Sequence, residues 1–297
     1  MSYSRSALLV GNALILATLV IASDSRGKSP ADRPAGRVLW SADHEEGTMA
    51  DWTDAGSKSP GGGIFNTGGR DVSATASRDV AHSGRWSAKT VISGARRAKH
   101  GRRAVRLMRW TDKAWDRGGR FFPKEAYYST WIYFDHVYDP KKHKPWDPGD
   151  GGWWNVFQFK SGDRKDVSQP VWGLNVACDQ KKKYMFFYLY SPCNKPSSYG
   201  QAKPLRIPAR KWVHVVALYR SATGKKGRIR VWQDGRDIFD VRGVVTSLGG
   251  KSGSDVHPTW GLGNYTNHIS GSPAGEGTAT VYFDDAAVST LKPGNIE

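Results

Sequence analysis

The 297 residues include 13 Trp, 34 Gly and 15 Pro, with few long apolar patterns at helical spacing. That composition argues against a helix-rich protein and allows one large all-β core. The formal net charge of +17, from 44 basic against 27 acidic residues, points to a polyanionic partner: nucleic acid, anionic lipid or acidic polysaccharide.

The first residues narrow that choice. Met1–Arg5 is a short leader carrying Arg5, Ala7–Ala22 is an apolar run, and Ser23-Asp24-Ser25 restores polarity. This pattern predicts a secretory signal peptide over 1–22, cleaved near Ala22. The apolar run is short for a membrane span, so a secreted or extracytoplasmic monomer is expected, with no stable span after cleavage. An exported protein rarely meets chromosomal DNA, and no nucleic-acid motif accompanies the basic residues. The expected partner is therefore an acidic polysaccharide, with no nucleic acid.

Residues 23–36, rich in Pro, Gly, Ser and Lys, read as a flexible linker, and 37–297 as a single domain. Strand-like runs follow at Arg37–Trp40, Ile64–Phe65, Val72–Ala76, Trp86–Ile92 and Ala104–Trp110. The last lies within Ala95–Arg120, where 10 basic residues face only Asp112 and Asp116. Such a run is usually a solvated surface, but Arg106 sits inside an apolar strand, with Arg103 on the opposite face.

The stretch Tyr127–Gly162 contains two aromatic and β-branched runs, Tyr127–Phe134 and Trp153–Lys160. Strict alternation would put Trp154, Val156, Gln158 and Lys160 on one face, and Trp153, Asn155, Phe157 and Phe159 on the other. An amide and a cation two residues apart on one face suit an anionic sugar. They equally suit the solvated edge of a half-exposed sheet.

Further strands are expected at Val171–Ala177, Tyr184–Tyr190, Trp212–Tyr219, Gly227–Trp232 and Thr278–Val288, with an Asp234-Gly235 hairpin tip. So many short strands predict two antiparallel sheets packed as a sandwich. Cys178 and Cys193 flank Tyr184–Tyr190, and in an oxidising compartment a disulfide between them would add roughly 3 kcal/mol. Glu45, near the start, and Asp284, in the last strand, supply hard oxygen ligands that suit a structural calcium ion.

In this order the segments resemble the jelly-roll polysaccharide lyases of the concanavalin A-like superfamily, the heparin lyase I-like and glucuronan lyase-like groups above all. The likeness spans most of 37–290. Its general part is AHSGRWSAKTVI, YYSTWIYF, KWVHVVALY, GRIRVWQDGRDIFD and ATVYFDDAAV. Its specific part is three strands. Alginate lyase-like relatives carry an Arg-rich strand, then Gln-x-His, then Gly-x-Tyr-x-Gln. Here RRAVRLMRW supplies Arg103 and Arg106 without the usual Glu. VFQFK keeps Gln158 and puts Lys160 in place of His. WGLGNYTNH keeps Gly263 and Tyr265 with Asn267 in place of Gln. The resemblance implies catalytic roles for Tyr265, Lys160, Gln158 and Arg106. It implies substrate contacts at Arg103, Asn175, Trp154, Asn267 and His268, and leaves open whether His268, His214 or His257 fills the place of the missing His.

A uronate lyase removes the proton beside the carboxylate and expels the neighbouring glycosidic oxygen. That carbon is acidic enough only when cations or amides offset the carboxylate charge, and a base and an acid then move the protons. A glycoside hydrolase would need two placed carboxylates, and the Glu-x-Asp-x-x-Glu spacing of hydrolases on this fold is absent. A non-catalytic lectin-like protein, stacking sugars on Trp153, Trp154, Trp172 and Trp260, is the other alternative.

Overall fold

The computed structural model describes residues 37–53, 62–96, 101–109, 123–140, 152–161, 169–179, 181, 183–249 and 259–294. The expected signal peptide and linker lie outside the described residues, as do Arg97, Lys99, Lys113, Arg117, Arg120 and His257. Among the described residues sixteen strands run in chain order. The first six are β1 (Val38–Ala42), β2 (Gly62–Thr67), β3 (Val72–Ser77), β4 (Ser87–Ile92), β5 (Arg103–Arg109) and β6 (Glu125–Phe134). Then come β7 (Trp154–Ser161), β8 (Gln169–Asp179), β9 (Tyr184–Tyr190), β10 (Ser198–Tyr199) and β11 (Arg206–Ile207). The last five are β12 (Trp212–Arg220), β13 (Gly227–Gln233), β14 (Arg236–Val244), β15 (Thr259–Thr266) and β16 (Ala279–Ser289).

They form two antiparallel sheets, the expected jelly-roll sandwich. The first has the order β14-β13-β12-β6-β16-β4-β3, with β1 added on β16. The second has the order β10-β9-β8-β7-β15-β5-β2, with β11 added on β9. The inner faces alternate as the pleat requires. Ala126, Tyr128, Ile132 and Phe134 of β6 are buried against Trp154, Phe159 and Trp260 of the second sheet. Tyr128 meets Phe159 edge-on at 4.9 Å, Phe134 meets Trp154 at 5.3 Å, and Phe159 stacks on Tyr219 at 3.7 Å. Such ring pairs add about 0.5–1.5 kcal/mol each beyond area burial. The β13–β14 hairpin turns on Asp234 and Gly235, both at positive φ (49° and 76°), as an Asp-Gly two-residue turn demands.

Two features position the outer face of the second sheet. The first is a bulge at Val156. Asn155 pairs with Asn175 and Phe157 with Leu174, so Val156 is an extra residue against β8. Alternation therefore breaks there: Asn155, Gln158 and Lys160 share the outer face, while Trp154, Phe157 and Phe159 point into the core. This corrects the strict alternation expected from sequence. The second feature is Asn264, buried between the sheets. Its Nδ2 donates to the carbonyls of Ala279 (2.9 Å) and Thr90 (3.3 Å) on the first sheet, and its Oδ1 accepts from Trp154 Nε1 at 3.0 Å.

The expected disulfide is not formed: Cys178 and Cys193 are not joined to each other. Cys178 pairs with Met185 at one end of the β8–β9 hairpin. Cys193 lies beyond the other end, with Sγ 3.9 Å from the Pro170 carbonyl. Pro170 and Cys178 are eight residues apart on one strand, about 26 Å, and a disulfide needs Cα atoms within about 7 Å. Spacing in sequence placed the cysteines beside one hairpin but could not say at which ends.

Candidate active site

The register identifies which side chains share the outer face of the second sheet. Across the strands, Thr67, Ala104, Tyr265, Asn155, Asn175 and Tyr188 occupy one row. A second row holds Gly63, Met108, Gly261, Gln158, Gly173 and Tyr190. Arg106 stands between the rows opposite Gly263, and Lys160 lies one step beyond the second row, opposite Thr259. The glycines leave space for the long side chains. A Cβ on Gly261 would lie 2.2 Å from Met108 Sδ, and one on Gly173 would lie 2.5 Å from Asn155 Nδ2.

Arg106 is the electrostatic hub of this face. Its guanidinium lies 5.2 Å from the Tyr265 ring centroid, and its Nη2 donates to Thr67 Oγ1 at 3.4 Å. Its Nε is buried without a hydrogen-bond partner. Burial, and then the Arg106 charge, pull the Lys160 ammonium down to about 8. Among the described residues of this face the strands carry one carboxylate, Asp179. It lies at the far end of β8, where its Oδ1 accepts from the Lys181 N–H at 3.0 Å. Tyr265 packs edge-on against Trp153 at 4.5 Å. It sits beside Asn155, and five residues of β7, about 16 Å, separate Asn155 from Lys160. Tyr265 and Lys160 thus stand on adjacent strands of one sheet, with Arg106 on the next strand at a level between theirs, and not on opposite sides of a cleft.

The remaining sequence-derived candidates divide. Gln158 is on the face, with Nε2 3.8 Å from Met108 Sδ. Asn175 is on the face, but both ends of its amide are engaged. Its Oδ1 accepts from Asn155 Nδ2 at 2.9 Å, and its Nδ2 donates to the Tyr188 hydroxyl at 3.1 Å. Trp154 is fully buried in the core, so it cannot touch substrate. Arg103 lies on the other side of β5 from Arg106 and pairs with Asp71 at 3.0 Å. Asn267 and His268 follow β15 and are buried. Asn267 Oδ1 accepts from the Trp153 N–H (3.3 Å), and the His268 backbone is held by Thr266 Oγ1. His214 is on the outer face of the first sheet, stacked on Trp131 at 4.5 Å, and burial drives its pKa down to about 4. Lys160 therefore stands in place of the His without a histidine beside it among the described residues.

Asn155 and Tyr188 escaped sequence reasoning. Asn155 was hidden by the bulge. Tyr188 lies in YMFFYLY, an aromatic run that reads as core. Its signal is the alternation Tyr184, Phe186, Tyr188, Tyr190 against Met185, Phe187 and Leu189, the latter three being buried. Of the Trp residues proposed as sugar platforms, Trp154, Trp172 and Trp260 are core, which leaves Trp153.

Glu45 and Asp284 meet at one loop. Both Glu45 oxygens accept from the Arg85 N–H at 2.9 Å, and Oε1 also accepts from the Trp86 N–H. Asp284 Oδ2 accepts from the His82 N–H at 2.8 Å. Beside them the buried His44 Nδ1 has no hydrogen-bond partner and lies 3.8 Å from Asp284 Oδ1. Oxygen is the donor type a hard cation takes, and Asp284 accepts further from the Ser83 N–H at 3.4 Å and the Asp285 N–H at 2.9 Å. Among the described residues no group of three His, Cys, Asp or Glu side chains converges on one point.

The outer face of the second sheet thus joins cations, amides and tyrosines, with one carboxylate on its strands among the described residues. The model of the polysaccharide lyase family matches residues 42–287, and the chain belongs to that family; it is a polysaccharide lyase. Two solved structures share the fold. The endo-β-1,4-glucuronan lyase from the fungus Trichoderma reesei aligns at 16% identity and TM-score 0.58, covering 86% of this chain and 96% of its own. The marine alginate lyase from Aplysia kurodai aligns at 14% identity and TM-score 0.50, covering 86% and 100%. No curated protein matches the chain. Among the described residues no helix is long and apolar enough to cross a membrane.

Proposed function

We propose that this lyase is exported and cleaves a uronate-containing polysaccharide by β-elimination on the outer face of the second sheet. The observation that carries the reading is the pair Arg106 and Lys160. They are two cations close enough for Arg106 to add to the burial that depresses Lys160, on a face whose strands, among the described residues, bear a carboxylate only at the far end. Like charges are held together there because an anion is meant to lie between them.

In this reading Arg106 and Gln158 hold the uronate carboxylate and offset its charge. Lys160 Nζ, uncharged once its proton has left, takes the proton from the carbon beside the carboxylate. The electron pair forms the new carbon–carbon double bond, the bond to the glycosidic oxygen breaks, and the Tyr265 hydroxyl protonates that oxygen. The product absorbs in the ultraviolet. The test is a screen against glucuronan, alginate, heparin-type and pectic polymers followed by absorbance, with Tyr265→Phe alongside. Cleavage of a uronate polymer, cut by about 10²–10⁴-fold in the variant, is expected. Full activity in Tyr265→Phe would remove Tyr265 from the mechanism, and no cleavage of any acidic polymer would remove the substrate assignment.

Calcium belongs to the same reading as a structural ligand of Glu45 and Asp284. A chelator is expected to lower the melting temperature and added calcium to restore it. Unchanged melting, with no metal in the purified protein, would end that proposal.

A further inference from the structure

The Asn155–Asn175–Tyr188 relay has a fixed polarity. Asn155 Nδ2 faces three acceptors: Asn175 Oδ1 at 2.9 Å, the Phe157 carbonyl at 3.3 Å and the Leu174 carbonyl at 3.5 Å. Turning that amide over would set an oxygen against three oxygens, so its nitrogen must point this way. Asn175 then presents its oxygen to Asn155 and its nitrogen to Tyr188, and donates to the phenolic oxygen at 3.1 Å. A phenol that accepts through its oxygen keeps its own proton for another acceptor.

Where that proton can go follows from the register. Tyr188 is three strands from Tyr265 in the same row, about 14 Å away at the ordinary strand spacing. Lys160 and Tyr265 flank the broken bond from adjacent strands, whereas Tyr188 is displaced across the sheet from both, two strands from that of Lys160 and three from that of Tyr265. A polymer laid across the strands along this row would pass Tyr188. Tyr190, two residues on and 40% exposed, offers a ring on the same side, and Phe65, also 40% exposed, does so at the opposite edge of the sheet. Exposed rings near the two edges of this face suit a glycan lying across the strands.

We propose that Tyr188, aimed by the Asn155–Asn175 relay, is a hydrogen-bond donor to an oxygen of the polysaccharide at a subsite away from the cleavage point. The inference rests on the reading of this face as the cleavage site, and it deepens that reading by giving the enzyme a chain-length preference. Burial raises the Tyr188 pKa, which keeps the phenol protonated and a donor throughout the working range. Asn175 is a positioning residue: it touches Tyr188, not the sugar.

The experiment measures kcat and KM on oligosaccharides of graded length, made from whichever uronate polymer the wild type cleaves. In the wild type kcat/KM should climb with length until the Tyr188 subsite is filled. In Tyr188→Phe the last step of that climb should vanish, a loss of about 3–10-fold carried by KM, while the shortest cleaved oligosaccharide is handled as before. Asn175→Asp should copy this result with the ring in place. One carboxylate oxygen can still accept from Asn155, while the other turns the Tyr188 proton inward. The double variant should be no worse than the poorer single one, which a ring acting only by packing would not produce. Equal length profiles for wild type and Tyr188→Phe would overturn the proposal and leave the cleavage site standing. Wild-type activity in Lys160→Met would overturn the site, and the proposal with it.

Discussion

The two outer faces of the sandwich are built from similar residues and differ in how their charges are matched. On the first sheet, Asp240 takes both Arg228 (2.8 Å) and Arg242 (2.7 Å), Asp237 takes Arg230, Glu125 takes Arg220, and Asp79 takes Lys89 at 2.6 Å. Its aromatic rings are covered as well. Trp131 lies between His82 (3.7 Å) and His214 (4.5 Å), and Trp232 between Arg230 and Lys292. On the second sheet, Arg106 and Lys160 have no carboxylate partner among the described residues, and the amides of Asn155 and Asn175 are bound only to neutral groups. A face that answers its own charges needs no ligand. In the proposed reading the second face, where burial and then Arg106 lower the Lys160 pKa, takes an anionic substrate as the missing partner.

The largest expected effect tests this contrast directly. Lys160→Met keeps the length of the side chain and removes its charge and basicity. Turnover should fall by about 10²–10⁴-fold even where substrate still binds. In the wild type the base form of Lys160 accumulates as pH rises through about 8, so kcat/KM should rise across that range. A pH profile flat from neutral to alkaline would show that Lys160 is not the base. The sign for stability is the same. The folded pKa lies below that of the unfolded chain, so the unfolded state holds the proton more tightly between about 8 and 10.5. Folding therefore gains from raising pH through that window and bears the penalty below it.

Much of this was legible in the residues. Composition and short alternating runs gave the sandwich, and the order Arg106, Gln158, Lys160, Tyr265 gave four side chains of one face. What misled was local. One extra residue at Val156 reversed the side of everything before it on β7. Trp154 was therefore expected outside and is core, while Asn155 was expected inside and faces out. Arg103 was read correctly as opposite Arg106, and that geometry takes it off the face that Arg106 shares with Lys160 and onto Asp71. The cysteine spacing was that of a closable loop. Hairpin register, which no spacing records, set the two thiols at opposite ends. Tyr188 was missed because an aromatic in a run of aromatics gains its meaning only from the amide beside it.

Asn264 links the two sheets beneath the site, and its loss should be the largest of the stability effects. Asn264→Ala leaves the Trp154 N–H and two buried contacts without their partner, at about 1–3 kcal/mol for the unsatisfied group. The measurement is denaturant unfolding of variant and wild type. A change under 0.5 kcal/mol, roughly the noise of a surface substitution, would mean that the sheets are held by their rings alone.

A smaller effect belongs to His214 on the first sheet. Burial keeps it neutral down to about pH 4, against 6.5 for the exposed ring. The unfolded chain binds the proton first, so stability from this group declines as pH falls from about 6.5 to 4. His214→Phe, which keeps a ring on Trp131, should flatten that part of the melting-temperature profile. An unchanged slope would assign the acid sensitivity to other groups.

The smallest effect is the control on which the comparison depends. Arg242 has the appearance of a polyanion-binding residue: its side chain is 67% exposed and it lies in a row with Arg228 and Arg220. Yet Asp240 already holds it, and the Asp240 carboxyl is pushed well below the ordinary range by hydrogen bonds from Arg228 and then Arg242. An exposed pair of this kind is worth about 0–1 kcal/mol and is screened by salt. Arg242→Ala should therefore shift stability by less than about 1 kcal/mol and leave cleavage of the polymer unchanged at moderate salt. Arg106→Ala, which removes the same charge from the other face, should abolish cleavage. If Arg242→Ala weakens substrate capture as much as Arg106→Ala, capture depends on the total positive charge of the protein. The distinction between matched and unmatched faces then fails.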